Sequence, residues 1–141
     1  MVESISSSKF IADFVIYIRD KLKTNISGVN SRVFTSYPQR NVIYPMITVT
    51  DIGSRQEGKL GMSSEGTILR LGVEIRVWAR NVKERDEIFD SVYDYLRTNQ
   101  LSGDDITGAN LHDFTMTSVV NVSEPDVKSK VGEFQYLFVC V

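Results

Sequence analysis

The sequence predicts a single α+β domain over residues 1–141, with two amphipathic helices packed on one face of a five-stranded, mainly antiparallel or mixed sheet. Three observations predict this class. The chain has 141 residues, which is the size of one ordinary domain. Two segments repeat apolar residues at helical spacing. Five other segments alternate or are rich in β-branched residues, which gives the order α-β-β-β-α-β-β.

The two helices are predicted from apolar residues that fall on one side of a helical turn. In the first helix, Phe10, Phe14, Ile18 and Leu22 recur every four residues and form one stripe. The second helix has a suitable N-cap in Asn81, and acidic residues crowd its first turns, where they favour a helix N-terminus. Its apolar face consists of Ile88, Phe89, Val92 and Leu96.

The five strands are predicted at residues 32–36, 46–52, 67–79, 111–122 and 131–141. The third strand has the clearest alternation. Its residues from Leu69 to Ala79 at odd positions are apolar, while Arg70, Glu74 and Arg76 lie at even positions together with Trp78. Such alternation is typical of a sheet with one buried face and one partly polar face. Both predicted helices therefore cover the odd-numbered side.

Residues 53–66 are predicted to form a long flexible loop. The segment contains four glycines and two adjacent serines, and it shows no apolar periodicity. Its charged residues include Arg55, Glu57 and Lys59. Connections of about 14 residues are uncommon inside compact domains, and they tend to be functional or disordered.

Composition excludes several classes of function. The 16 basic and 18 acidic residues give a net charge of −2, without the basic excess of proteins that bind nucleic acid through phosphates. One cysteine, Cys140, cannot form an intrachain disulfide, and one histidine, His112, leaves too few of the usual zinc ligands. No run reaches the ~18 apolar residues of a membrane span, and the start lacks the basic segment of a signal peptide. We expect a soluble protein made in the cytoplasm, with no membrane, metal or cofactor.

Candidate catalytic groups are few. Asp104 and Asp105 form a carboxylate pair beside two glycines, which is typical of a solvated turn. His112 stands alone at the start of a predicted strand, and Cys140 lies in an apolar strand where it acts as a small hydrophobic residue. No catalytic site is predicted, although a small enzyme that uses His112 with Asp113 stays open as an alternative function.

A candidate assembly interface is the more informative feature. It combines the polar side of the long strand with the predicted loop, and Trp78 is the kind of anchor that is enriched in protein interfaces. An ordinary solvated face, with the arginines paired to neighbouring glutamates, is the alternative. The candidate interface residues are Arg55, Glu57, Lys59, Arg70, Glu74, Arg76 and Trp78.

Four stretches of the chain carry a resemblance to a known family. They are Tyr37-Pro38, the Tyr-Pro-Met-Ile-Thr-Val run at 44–49, the long strand at 71–79 and the Glu-Arg-Asp-Glu-Ile start of the second helix at 84–88. From about Phe10 to Val141, this order of elements resembles the tail-terminator and tail-to-head joining proteins of tailed bacteriophages. The resemblance implies an α+β fold and a virion structural protein without enzymatic activity or cofactor.

The same resemblance implies a hexameric ring in the tail-neck region, at the head-proximal end of the tail tube. Its partners would be further copies of this chain, the tail tube protein, and the head connector or neck protein. DNA would pass through the ring lumen without specific binding. Two alternatives stay open: another neck or head-completion protein, and a non-viral α+β module that binds a protein partner.

Overall fold

The fold is built on a five-stranded mixed sheet with the strand order β1-β2-β3-β5-β4. The computed structural model describes residues 10–40, 42–60, 66–99 and 109–140. The elements are α1 Phe10–Asn25, β1 Val33–Phe34, β2 Met46–Leu60, β3 Gly66–Ala79, α2 Val82–Asn99, β4 Ala109–Ser123 and β5 Lys128–Cys140. β1 pairs parallel with β2, and the other neighbours pair antiparallel. The predicted fold class and element order are confirmed.

Both helices cover the same face of the sheet, as predicted. The odd-numbered residues of β3 from Leu71 to Ala79 are fully buried, because α1 and α2 pack over them. Phe14 of α1 meets Tyr136 of β5 edge to face, with ring centroids 5.7 Å apart. Close packing of these apolar side chains is the main source of the fold's stability.

The second helix begins and docks as its sequence suggests. The Asn81 side-chain oxygen accepts a hydrogen bond from the backbone N–H of Glu84 at 2.8 Å, which is an N-cap. On the buried side, Phe89 stacks on Phe134 with a centroid separation of 6.1 Å. A Cβ at Gly132 would lie 2.7 Å from the Phe89 ring, so this glycine allows the helix to approach β5 closely.

One buried group in this core is not satisfied. The Tyr136 side chain is fully buried, and its hydroxyl has no hydrogen-bond partner among the residues that the structure describes. Burial raises the pKa of Tyr136, because the phenolate would lose its hydration. The ring contributes to packing, while the hydroxyl carries a desolvation cost.

The loop predicted at residues 53–66 is mostly strand, so this expectation was wrong in extent. β2 continues to Leu60, and its pairing with β3 runs to the pair Leu60↔Gly66. Antiparallel pairing uses main-chain groups, so it does not require the apolar periodicity that the segment lacks. Register shifts follow Asp51 and Gln56, and Gly53 adopts a φ of 118°, which glycine permits. Residues 61–65 lie outside the described residues.

Among the described residues, neither helix is long and apolar enough to cross a membrane.

Candidate assembly surface on the open face of the sheet

The face of the sheet opposite the helices carries the polar residues of two neighbouring strands. Because side chains alternate along a strand, even positions of β3 and odd positions of β5 share this face through their direct pairing. We call it the open face, and it comprises Arg70, Glu74, Arg76, Trp78, Ser129, Val131, Glu133 and Gln135.

Trp78 is half-buried at one end of the open face and is held by three neighbours. The Arg76 guanidinium lies 3.8 Å from the centre of its ring, within cation–π range. The Tyr37 ring meets it edge to face at 5.0 Å. Its indole N–H donates to the Thr48 hydroxyl at 3.1 Å. The free indole face expected from the sequence is therefore smaller, since the subunit itself contacts much of the ring.

Two tyrosines extend this aromatic cluster. The hydroxyls of Tyr37 and Tyr44 lie 2.6 Å apart and form a hydrogen bond in which either oxygen can donate. That bond, with smaller contributions from burial and charge, raises the pKa of Tyr44 to about 12. The two phenols give this end of the open face aromatic surface with polar edges.

The arginines of the open face donate to neutral oxygens of β5. Arg76 donates twice to the Ser129 hydroxyl, at 3.1 and 2.9 Å. Arg70 donates to the Gln135 side-chain oxygen at 3.2 Å. None of these bonds involves Glu74, and Glu65, the other neighbouring glutamate, lies outside the described residues, so the alternative of an ordinary solvated face stays open.

Two glutamates face each other at the centre of the open face. Glu74 of β3 and Glu133 of β5 are direct cross-strand partners. Cβ atoms of such pairs lie about 4.5–5.5 Å apart, and like charges at that separation are destabilising. Both residues are partly exposed. Among the residues that the structure describes, no cation lies within ion-pair distance of either carboxylate.

Four of the candidate interface residues share one face of the sheet, and their role in assembly stays a prediction. Arg70, Glu74, Arg76 and Trp78 lie together on the open face, as their even numbering indicated. Arg55, Glu57 and Lys59 lie in β2, where only the backbone is described. Sequence reasoning missed Glu133. The alternation of Glu133 with Phe134 and Tyr136 could have placed it on the polar face, but its pairing with Glu74 requires the strand register.

The side chains of the candidate catalytic residues are not among those that the structure describes. No group of three His, Cys, Asp or Glu side chains among them could hold a metal ion. Asp104 and Asp105 lie outside the described residues. His112 and Cys140 lie in β4 and β5, where only their backbone is described.

The chain matches the model of a known protein family. The family model described as tail completion protein gp17 matches residues 19–140, which is most of the chain. The matched segment includes all of the sheet and the whole of α2. No curated protein matches the chain.

Proposed function

This chain belongs to the family of the tail completion protein gp17, and from that premise we propose that it is a tail terminator that forms a hexameric ring. The family makes it a structural component of a bacteriophage tail. In the proposed role, the ring closes the head-proximal end of the tail tube and joins the tube to the head connector or neck protein. This role requires neither catalysis nor a cofactor.

The observation that carries the ring proposal is the facing pair Glu74 and Glu133. Two carboxylates held opposite each other on a partly exposed face raise the free energy of the isolated subunit. A cation supplied by a neighbouring subunit would remove this repulsion, so the open face is a suitable subunit contact. A contact between two different surfaces is heterologous, and it closes into a ring when the rotation per subunit divides the circle.

The proposed contact combines charged groups with one aromatic anchor. Arg76 and Trp78 form a rigid cluster beside the glutamate pair, and their bonds within the subunit fix their positions before assembly. Preorganised side chains lose less conformational entropy when a partner binds. The proposed contact residues are Arg55, Glu57, Lys59, Arg70, Glu74, Arg76 and Trp78.

The proposed ring also has a bearing on DNA. A net charge of −2 per chain gives no electrostatic basis for tight DNA binding. A lumen built from such chains would let DNA pass without holding it, which suits a channel between head and tail.

The direct test of the ring is its mass in solution across a concentration series, with negative-stain images of the largest species. The proposal predicts a species of about 96 kDa, six times the chain mass of 16.0 kDa, with a ring outline. If no ring forms in solution or on added tail tubes at any concentration, the terminator proposal fails.

A matched pair of variants tests whether the open face is the contact. Glu74→Lys reverses a charge on the open face, and Glu87→Lys makes the same change on the exposed side of α2. We expect Glu74→Lys to weaken ring formation by about tenfold or more, with Glu87→Lys close to wild type. Equal effects of the two variants would move the contact elsewhere.

A further inference from the structure

The strand β4 forms one edge of the sheet and has a regular, uncharged segment at residues 118–123. These residues pair one to one with residues 128–133 of β5, from Ser118↔Glu133 to Ser123↔Lys128. Both register shifts of β4 precede this segment. The sequence Ser-Val-Val-Asn-Val-Ser contains neither a charge nor a proline. Native proteins usually protect edges with charges, prolines, bulges or short strands, and this segment has none of these.

The opposite edge of the sheet is protected in the usual ways. β1 has only two residues. Beyond β1, the edge continues along β2, which carries two register shifts and the charged residues Asp51, Arg55, Glu57 and Lys59. This difference between the two edges indicates that the β4 edge is suited to pairing with another strand.

The unpaired main-chain groups of β4 can be assigned from its turn. The backbone N–H of Glu124 donates to the carbonyl of Val127 at 3.0 Å, so this pair is hydrogen-bonded. Hydrogen-bonded and non-hydrogen-bonded pairs alternate in antiparallel strands. The Val120 and Val122 backbones therefore bond to β5, while those of Val119, Asn121 and Ser123 point away from it. Their N–H and C=O groups are available to another strand.

Two valines of this segment are exposed. Val120 retains 53% of its surface and Val119 retains 39%. Val120 and Val122 share the open face of the sheet, on either side of Asn121. The segment is therefore nearly symmetric about Asn121.

We propose that residues 119–123 of β4 pair antiparallel with the same segment of a second copy of this chain, about a two-fold axis at Asn121. In this register Asn121 pairs with Asn121 of the partner subunit, and Val119 pairs with Ser123 of the partner subunit. Val120 then packs beside the partner's Val122. A second copy fits this edge because an uncharged segment brings no like charges together, and because one contact covers both exposed edges.

The pairing does not rest on the proposed ring. Neighbouring subunits of a cyclic ring make heterologous contacts and are not related by a local two-fold axis, so this two-fold contact does not join neighbours within a ring. It covers an edge of the free protein that would otherwise recruit other strands. Glu74, Arg76 and Trp78 lie on β3, which β5 separates from β4, so they remain accessible in the pair.

Single cysteines test the proposed register in a Cys140→Ser background. A hydrogen-bonded pair places its Cα atoms ~5.5 Å apart, within the range that a disulfide spans. Asn121→Cys should therefore form an interchain disulfide on mild oxidation. The control is Val119→Cys, because its two copies would lie four residues apart, roughly 14 Å along the strand. The proposal fails if folded Asn121→Cys stays uncrosslinked, or if Val119→Cys crosslinks equally well.

Association of otherwise unmodified chains gives an independent test by sedimentation. Asn121→Pro removes an N–H that points away from β5, so the β4–β5 pairing is kept while the edge is blocked. Val120→Lys adds a charge at an exposed site and serves if the proline variant does not fold. Each variant should lower the dimer association constant at least tenfold without changing the circular dichroism. A wild-type chain that shows no dimer, or variants that dimerise as it does, would overturn the proposal. Ring formation is measured separately, with the Glu74→Lys variant, so that a failure of the strand pairing can be distinguished from a failure of the ring.

Discussion

The two faces of the same sheet use charge in opposite ways. On the helix-covered face, Lys130 lies 3.0 Å from Asp86 and 5.3 Å from the centre of the Phe89 ring. Its charge is neutralised within the subunit, and it ties β5 to α2. On the open face, Glu74 and Glu133 lie directly opposite each other, and the described part of the chain supplies no such partner for either. The charge of Lys130 on the covered face is neutralised within the subunit. The two glutamates on the open face could be neutralised by a cation from another molecule.

The same contrast holds along a single strand. The odd residues of β3 from Leu71 to Ala79 are fully buried, and the even residues Arg70, Glu74, Arg76 and Trp78 are partly exposed. Burial of apolar area stabilises the subunit, so substitutions on the covered face should lower its free energy of unfolding. Substitutions on the open face should change association instead. The following predictions test this division, beginning with the largest expected effect.

Phe134→Ala should destabilise the subunit by about 3–5 kcal/mol, because it removes a fully buried ring that stacks on Phe89. The control is Val131→Ala in the same strand, on the open face, where the side chain is only half-buried. It should cost under about 1 kcal/mol. Urea unfolding measures both variants, and similar losses would contradict the division between the faces.

Tyr136→Phe should stabilise the subunit by about 1 kcal/mol, since it keeps the ring and removes a buried hydroxyl that has no partner in the described part of the chain. Tyr44→Phe is the contrasting variant, because its hydroxyl is bonded to Tyr37, and it should cost about 0.5–1.5 kcal/mol. Thermal unfolding compares the two. A clear loss of stability in Tyr136→Phe would show that this hydroxyl does have a partner.

Asp86→Asn should destabilise the subunit at pH 7 by less than about 1 kcal/mol, because the carboxylate is partly exposed and screened. Hydrogen bonds from Arg85, and then from Lys130, hold the pKa of Asp86 below its usual value. A lowered folded-state pKa gives stability that is present above the unfolded pKa of ~3.9 and is lost as the pH falls through the folded value. The difference from wild type in urea unfolding should therefore shrink at pH 2. A loss of stability that does not change with pH would mean that Asp86→Asn acts through packing and not through charge.

Glu133→Gln should stabilise the isolated subunit by a few tenths of a kcal/mol, by relieving the repulsion from Glu74. This change in stability is opposite in sign to that of Asp86→Asn, although each substitution neutralises one carboxylate. In the Glu74→Gln background, Glu133→Gln should have no further effect. This double-mutant cycle is measured at concentrations where the chain is monomeric, and additive effects would mean that the two carboxylates do not interact.

Periodicity was enough to predict the helices, their common face and the order of the helices and strands along the chain. Phe14 and Ile18 mark the first helix directly, and the alternation of β3 separates its two faces. These signals are local, because each residue's burial follows from its position within one element.

Other features depend on contacts that no local pattern contains. The pairing of residues 53–60 with β3 uses main-chain bonds, so glycines and charges there did not reveal a strand. The facing of Glu74 and Glu133 is set by the register of strands far apart in sequence. Trp78 and Tyr37 are far apart in sequence, and their rings come into contact only in the folded chain.

The chain has one tryptophan, and it lies on the open face, so its fluorescence reports directly on the proposed subunit contact. The decisive measurement is acrylamide quenching of Trp78 in separated monomer and ring fractions. If the open face joins the subunits, quenching in the ring should fall to about half or less of its value in the monomer, because interface cores exclude solvent. Equal quenching in the two fractions would contradict the account, since the ring would then form through another surface.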